Sequence, residues 1–177
     1  MLTLILGGAR SGKSRLAERL AAPARRVSYV ATAQAGDDPE MAARIERHRA
    51  GRPNSWRTIE EPLALADAVE RASNEPGVVL IDCLTVWLSN LFWQHRDGTT
   101  RQVEDAARAE LQRIAAASSR CHVILVSNEV GCATVPESAV ARAFRDTQGF
   151  LNQWAAAAAD EVILTVAGLP LYLKKVQ

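Results

Sequence analysis

Residues 1–14 constrain the fold more than any other stretch: Met1-Leu-Thr-Leu-Ile-Leu-Gly7-Gly8-Ala9-Arg10-Ser11-Gly12-Lys13-Ser14. Leu2 to Leu6 is an apolar run of strand length, and Gly7 to Ser14 fits G-x-x-x-x-G-K-S. Leu16, Ala17 and Leu20 then recur at helical spacing, and Pro23 ends the run. Strand, glycine loop and helix form the context in which this P-loop pattern cradles phosphate. Glycines let backbone N–H groups turn inward around packed negative charge, with no Cβ in the way. The helix start adds unpaired N–H groups and the positive end of its dipole. Lys13 brings a mobile positive charge to the outer phosphates, and the Ser14 hydroxyl suits Mg²⁺.

Further along, strand and helix signals alternate. Val27 to Ala31 reads as a second strand, ending in Thr32-Ala33-Gln34 at what should be the sheet's carboxyl edge, where ligands bind. Asp38 as N-cap and Pro39 at the first helical position predict a helix stopped by Gly51. Trp56 to Ile59 is weakly strand-like, and a helix with Leu63, Ala66 and Val69 on one face follows Pro62. Val78-Val79-Leu80-Ile81-Asp82 is a continuous apolar run ending in an acid. That pattern predicts a buried parallel strand carrying a Walker B aspartate, which would bind Mg²⁺ directly or through water.

Leu84 to Trp93 is apolar nearly all round as a helix. It should be covered on more than one side, by the core, a partner subunit or a large apolar ligand. His95 near its end reads as a surface residue. Thr99 to Gln102 fits a capping box, with Val103, Ala107, Leu111 and Ile114 on one face of the helix it opens. His122 to Ser127 predicts another buried strand, with Asn128-Glu129-Val130-Gly131 pointing at the site. Pro136-Glu137 predicts the start of a long helix with Val140, Phe144, Thr147, Leu151, Trp154 and Ala158 in register. Glu161 to Val166 reads as a last core strand, and Leu171 to Lys174 as an edge strand. The alternation implies an α/β fold, a mostly parallel sheet with helices on both faces, in a single domain spanning 1–177.

Composition narrows the function classes. A net charge of +1 over 177 residues gives no basic field, so nucleic acid is not expected as a partner. Cys83, Cys121 and Cys132 form no C-x-x-C pair, which fits reduced thiols in a cytoplasmic protein. Leu2 to Leu6 is too short for a signal h-region, and no apolar stretch reaches membrane-spanning length.

His48 shares a helical stripe with Met41 and Ile45, and Arg44, Arg47, Arg49 and Arg52 surround it in sequence. Nearby positive charge and partial burial favour its neutral, nucleophilic form. The arginines are suited to holding phosphates beside it. Spacing alone leaves two readings open, a nucleophile or a half-buried helix histidine with its hydrogen bonds satisfied. The residues thus give a Mg²⁺–nucleoside triphosphate site without its acceptor. A small-molecule kinase, a nucleotidyltransferase and a nucleotide-switched interaction module all remain open.

The sequence resembles the bifunctional adenosylcobinamide kinase / adenosylcobinamide-phosphate guanylyltransferase family of cobalamin biosynthesis. The resemblance rests on Gly7 to Ser14, Tyr29-Val-Ala-Thr32, Met41-Ala-Ala-Arg-Ile45, His48 through Gly51-Arg-Pro53, Trp56-Arg-Thr58, Asn128-Glu-Val-Gly131, Val135-Pro-Glu137, Phe144-Arg-Asp146 and Ala156 to Val162. The His…Arg-Pro…Trp-Arg-Thr block is the most telling. The resemblance implies a RecA-like P-loop domain, a trimer, and ATP and GTP as substrates with Mg²⁺. It implies phosphorylation of adenosylcobinamide, then GMP transfer through a guanylyl-histidine at His48. It further implies nucleotide contacts from Gly7, Gly8, Ala9, Arg10, Ser11, Gly12, Lys13 and Ser14, from Ala31, Thr32 and Ala33, from His48, Arg49, Ala50 and Gly51, and from Glu60 and Asp82. Arg47 stands where some relatives carry a second histidine, Ala133 where many have glycine, and Asp82 where some have glutamate.

Overall fold

The computed structural model describes residues 1–34, 36 and 39–175, and for 40, 41, 44, 47 and 48 it describes the backbone alone. The elements run β1 (Leu2–Gly7), α1 (Lys13–Ala21), β2 (Val27–Ala31), α2 (Pro39–Ala50), β3 (Arg57–Glu60), α3 (Leu65–Ala72) and β4 (Val78–Asp82). They continue with α4 (Leu84–Gln94), α5 (Thr100–Ala117), β5 (His122–Asn128), α6 (Ala139–Ala158), β6 (Glu161–Val166) and β7 (Leu169–Lys174). Among the described residues the strands form one sheet in the order β3-β2-β4-β5-β1-β6-β7. β1 to β6 run parallel, and β7 pairs antiparallel with β6 at the edge. This is the α/β architecture expected from the alternating pattern.

The apolar strand runs are buried on both faces, and their alternate residues feed two cores. Leu4, Val79, Ile81, Val123 and Leu125 face α3, α4, α5 and α6. Ile5, Leu80, Ile124 and Val126 face α1 through Leu16, Ala17 and Ala21. One face therefore carries four packed helices, and the other is covered by α1. α4 buries Leu84, Trp87, Leu88 and Leu91, and Trp87 Nε1 donates to the Leu63 carbonyl at 2.8 Å. Trp93, at its far end, is exposed. So α4 is covered on more than one side, as expected. Its main stripe enters one core, Val86 packs against the other, and Asn90 bonds the Thr32 and Pro62 carbonyls, while Ser89 and Trp93 stay exposed. His95 is half-buried, not a plain surface residue.

Two helix starts differ from the sequence reading. Leu63 packs on the core ahead of α3, which begins at Leu65. α6 begins at Ala139 behind an N-cap Ser138, not at Pro136. Arg142 Nη1 donates to the carbonyls of Pro136 at 2.9 Å and Glu137 at 2.6 Å, holding both outside the helix. The buried stripe of α6 is broader than predicted. Thr147 and Leu151 are buried and Phe144 and Trp154 pack on the core as expected, Gln148, Asn152 and Ala155 are buried as well, and Val140 is exposed. The predicted Asp38 cap lies outside the described residues, whereas the Thr99–Gln102 capping box is present. All three cysteines are free, and among the described residues no helix is long and apolar enough to cross a membrane.

His122, at the start of β5, meets Thr3 Oγ1 through Nε2 at 2.9 Å. Burial pushes its pKa below the usual 6.5, aided by the amino-terminal charge and opposed by Asp160. The unfolded chain therefore takes up this proton first, and stability falls as pH drops below 6.5. A His122→Gln chain should lose less of its thermal midpoint than wild type between about pH 7 and pH 5. Equal losses in the two proteins would refute the assignment.

Candidate functional site

The sheet brings the polar strand ends together at its carboxyl edge. Ala31 is in register with Glu60 on one side and with Asp82 on the other. Gly7 is in register with Asn128. The loop from Gly7 to Lys13 rises beside this row. A Cβ on Gly7 would strike Ser11 and approach the Thr165 carbonyl to 2.6 Å, so only glycine fits. Gly12 has φ 97° and sits 3.1 Å, measured from an ideal Cβ, from Gly168 Cα in the β6–β7 turn. Gly168 N donates to the Ser11 carbonyl at 2.8 Å, so this hairpin buttresses the loop from outside. Lys13 is largely buried at the start of α1, and its Nζ donates to the Gly8 carbonyl at 3.0 Å. Gly8, Ala9 and Arg10 are exposed on the loop, and Arg10 has φ 57°.

Two cavities meet at Lys13 and Ser14. One, of about 620 Å³, is lined by the loop from Arg10 to Arg15 with Glu18, Gly51, Ala167 and Gly168. The other, of about 190 Å³, holds Ala31, Ala33, Arg49, Glu60 and Asp82 among its walls. The structure therefore gathers most of the residues singled out in the sequence. Thr32 is an exception. Its buried hydroxyl accepts from Cys83 N and donates to Cys83 O, each at 2.9 Å, so it ties the end of β2 to that of β4. Ala50 is exposed on α2 and lines neither cavity. His48 falls within α2, but its imidazole lies outside the described residues, as do the side chains of Met41, Arg44 and Arg47. Ile45, from the same predicted stripe, faces the smaller cavity.

Glu18 was not singled out from the sequence, nor were the contacts that Tyr29 and Arg52 make at the site. Tyr29 OH donates to Asp82 Oδ2 at 2.9 Å, and the Arg52 guanidinium lies 3.4 Å from the Tyr29 ring centroid. This links the residue just past α2 to the acid at the end of β4. Burial, and then the Asp82 charge, push the Tyr29 phenol far above its ordinary range, so it stays a donor. Glu18 is shifted upward by burial and then by Asp82. Arg52 Nε is buried without a partner among the described residues.

Asn128 is held from both sides. Its N–H donates to Thr85 Oγ1 at 2.9 Å, and its carbonyl accepts from Asn152 Nδ2 at 3.0 Å. Asn152 in turn accepts from Ser127 Oγ at 2.7 Å and from Gln148 Nε2 at 3.0 Å. This buried network fixes the end of β5 while Asn128 lines the smaller cavity. The signal in the sequence was a pair of amides four apart, Gln148 and Asn152, on a helix opposite a serine-bearing strand.

The arrangement combines a phosphate cradle, a cation, two hard oxygen donors and flanking guanidinium groups. That set can bind a nucleoside triphosphate and stabilise charge on a transferring phosphoryl group. Comparison with solved structures agrees with the fold. A type III secretion system ATPase aligns over 97% of this chain and 56% of its own, with TM-score 0.57 and 11% identity. A Pyrococcus horikoshii protein aligns over 99% and 87%, with TM-score 0.56 and 10% identity. At such identities the likeness concerns the fold alone.

Sequence relatives are much nearer. The bifunctional adenosylcobalamin biosynthesis protein CobU of Escherichia coli is 46% identical over 98% of this chain and 100% of its own length. CobP of Pseudomonas aeruginosa, with the same description, is 49% identical over 98% of each chain. The family model for cobinamide kinase / cobinamide phosphate guanyltransferase matches residues 3–173. This chain, with its phosphate loop and converging strand ends, belongs to the cobinamide kinase / cobinamide phosphate guanyltransferase family.

Proposed function

We propose that this chain phosphorylates the aminopropanol hydroxyl of adenosylcobinamide and then transfers GMP from GTP onto that phosphate. The observation that carries this reading is the convergence of Lys13, Ser14, Glu60, Asp82 and Arg49 on joined cavities, in a chain of this family. In the first step the substrate oxygen attacks the γ-phosphorus of ATP or GTP. The bond to the β-phosphate oxygen breaks, and a nucleoside diphosphate and a proton leave. In the second step a ring nitrogen of His48 attacks the α-phosphorus of GTP, and pyrophosphate departs. An oxygen of the corrinoid phosphate then attacks the same phosphorus. The phosphorus–nitrogen bond breaks, giving adenosyl-GDP-cobinamide and free histidine.

Lys13 and the loop N–H groups from Gly7 to Ser14 hold the phosphate chain in both steps. Ala31, Ala33, Arg49, Gly51 and Glu60 wall the remainder of the nucleotide. Thr32 acts through its hydroxyl bonds to Cys83, which hold the ends of β2 and β4 together at the site. Mg²⁺ fits the donor set, because Ser14 and Asp82 offer two hard oxygens and leave other positions to phosphate and water. Bound there, the ion neutralises charge on the phosphates.

We extend the family's trimer to this chain. Among the described residues β7 is an outermost strand of the sheet, and its Leu169, Leu171 and Leu173 side chains are exposed, which supports this. A sedimentation mass of one chain would remove it. The free thiols suit a cytoplasmic setting.

The reading is tested with GTP labelled at the α-phosphorus. The protein should take up acid-labile, base-stable label, and adenosylcobinamide phosphate should chase that label into a small molecule. Turnover of cobinamide without any protein-bound label would leave a plain kinase and sink the histidine route.

A further inference from the structure

We propose that the apolar groove between the end of α4, the start of α5 and the start of α6 seats the corrin ring of the substrate. This rests on the reading that the chain acts on cobinamide.

The groove is the largest of the cavities described here, about 720 Å³, and it lies apart from the nucleotide cavities. Its walls include Phe92, Trp93, Val103, Val140 and Phe144. Trp93 is 73% exposed and Val140 70% exposed, an unusual cost for large apolar side chains unless something covers them. The Phe92 and Phe144 rings pack edge to face at 5.5 Å and form a firm floor. The hydroxyls of Ser89 and Thr100 and the Arg96 guanidinium stand among these walls, and Arg96 lies 5.3 Å from the Trp93 ring centroid. An apolar floor beside sparse hydrogen-bonding groups suits a macrocycle with apolar faces and carboxamides around its edge.

Position makes the assignment specific. Two elements run from the phosphate cavity to this groove. On α4, Val86 lines the smaller cavity, whereas Ser89 and Trp93, three and seven positions on, line the groove along the same helical face. The helix rise from Val86 to Trp93 is about 10 Å. After β5, Asn128 lines the smaller cavity, and Ser138 and Val140 line the groove. An amide-linked aminopropanol arm has a reach on the order of 10 Å at ordinary bond lengths. A ring lying on Trp93 and Val140 thus places its arm hydroxyl, and later its phosphate, toward Lys13 and Asp82. A generic protein partner would require no such continuity with the nucleotide site.

The test uses Trp93→Ala and Val140→Asp. Both residues are exposed, so neither change opens a hole in the core. Three quantities are read for each variant: self-labelling from α-labelled GTP without corrinoid, the KM for cobinamide in the kinase step, and the mass in solution. The proposal expects self-labelling at the wild-type rate, an unchanged mass, and a KM for cobinamide raised at least about tenfold. Binding of dicyanocobinamide, followed by equilibrium dialysis, should weaken in parallel. An unchanged KM and unchanged dialysis would overturn the assignment. A change in mass would assign the groove to a subunit contact instead. A wild-type chain that neither phosphorylates nor binds cobinamide would overturn the functional reading itself, and the groove assignment with it.

Discussion

A His48→Ala chain takes up no label from α-labelled GTP, with the rate down by more than about 10³-fold, yet still moves a terminal phosphoryl group onto cobinamide. The split follows from the chemistry. The guanylyl intermediate needs a nitrogen nucleophile, and alanine offers none, so the covalent branch ends. The kinase branch uses the substrate's own hydroxyl, together with the phosphate cradle on α1 and the loop before it. His48 sits within the helix Pro39–Ala50, which leads through Gly51 into the Arg52–Tyr29–Asp82 chain of contacts. Thermal melting of the variant and its kinase turnover report whether that chain is intact. Persistent labelling at the wild-type rate would assign the phosphoramidate to a different side chain.

Replacing Lys13 by alanine lowers the turnover of both reactions, each by about 10²–10³-fold. Lys13 begins α1 and is largely buried, so its ammonium is fixed beside the loop rather than waving in solvent. A charge already fixed in place costs no reorganisation when negative charge shifts toward the leaving phosphate. Both steps expel such a leaving group, a nucleoside diphosphate in one and pyrophosphate in the other. The variant should therefore fail twice, in contrast to the one-branch failure at His48. Steady-state kinase rates and single-turnover labelling measure the two losses. Loss of one reaction with the other intact would show that the two steps use separate phosphate sites.

Much of this was legible in the sequence, because the relevant signals are local. The loop from Gly7 to Ser14 carries its own flanking strand and helix. The apolar runs Val78–Ile81 and His122–Ser127 announce strands buried on both faces, which the two cores on opposite sides of the sheet bear out. Asp82 was readable only because the loop calls for an acid, and the register of Ala31 with both Glu60 and Asp82 brings the two acids into one row.

What escaped is long-range. Tyr29 and Asp82 are 53 positions apart, and Ser127 and Asn152 are 25 apart. No periodicity can reveal a hydroxyl spent on a distant carboxylate. On α6 the predicted Phe144, Thr147, Leu151 and Trp154 do lie in or against the core, whereas the two ends of the stripe, Val140 and Ala158, are exposed. Gln148 and Asn152 are buried beside Thr147 and Leu151, since the serine-bearing end of β5 needs partners inside the core. The apolar character of Leu84 to Trp93 was read correctly, but only the packed helix shows that its first turns serve the interior and its last turn serves a surface groove.

The turn at Ala167–Gly168 braces the phosphate loop from the opposite end of the sequence. During translation the loop is therefore spelled out long before its brace exists. A ribosome-bound chain whose Gly168 has not emerged lacks that brace, the Gly168 N–H bond to the Ser11 carbonyl.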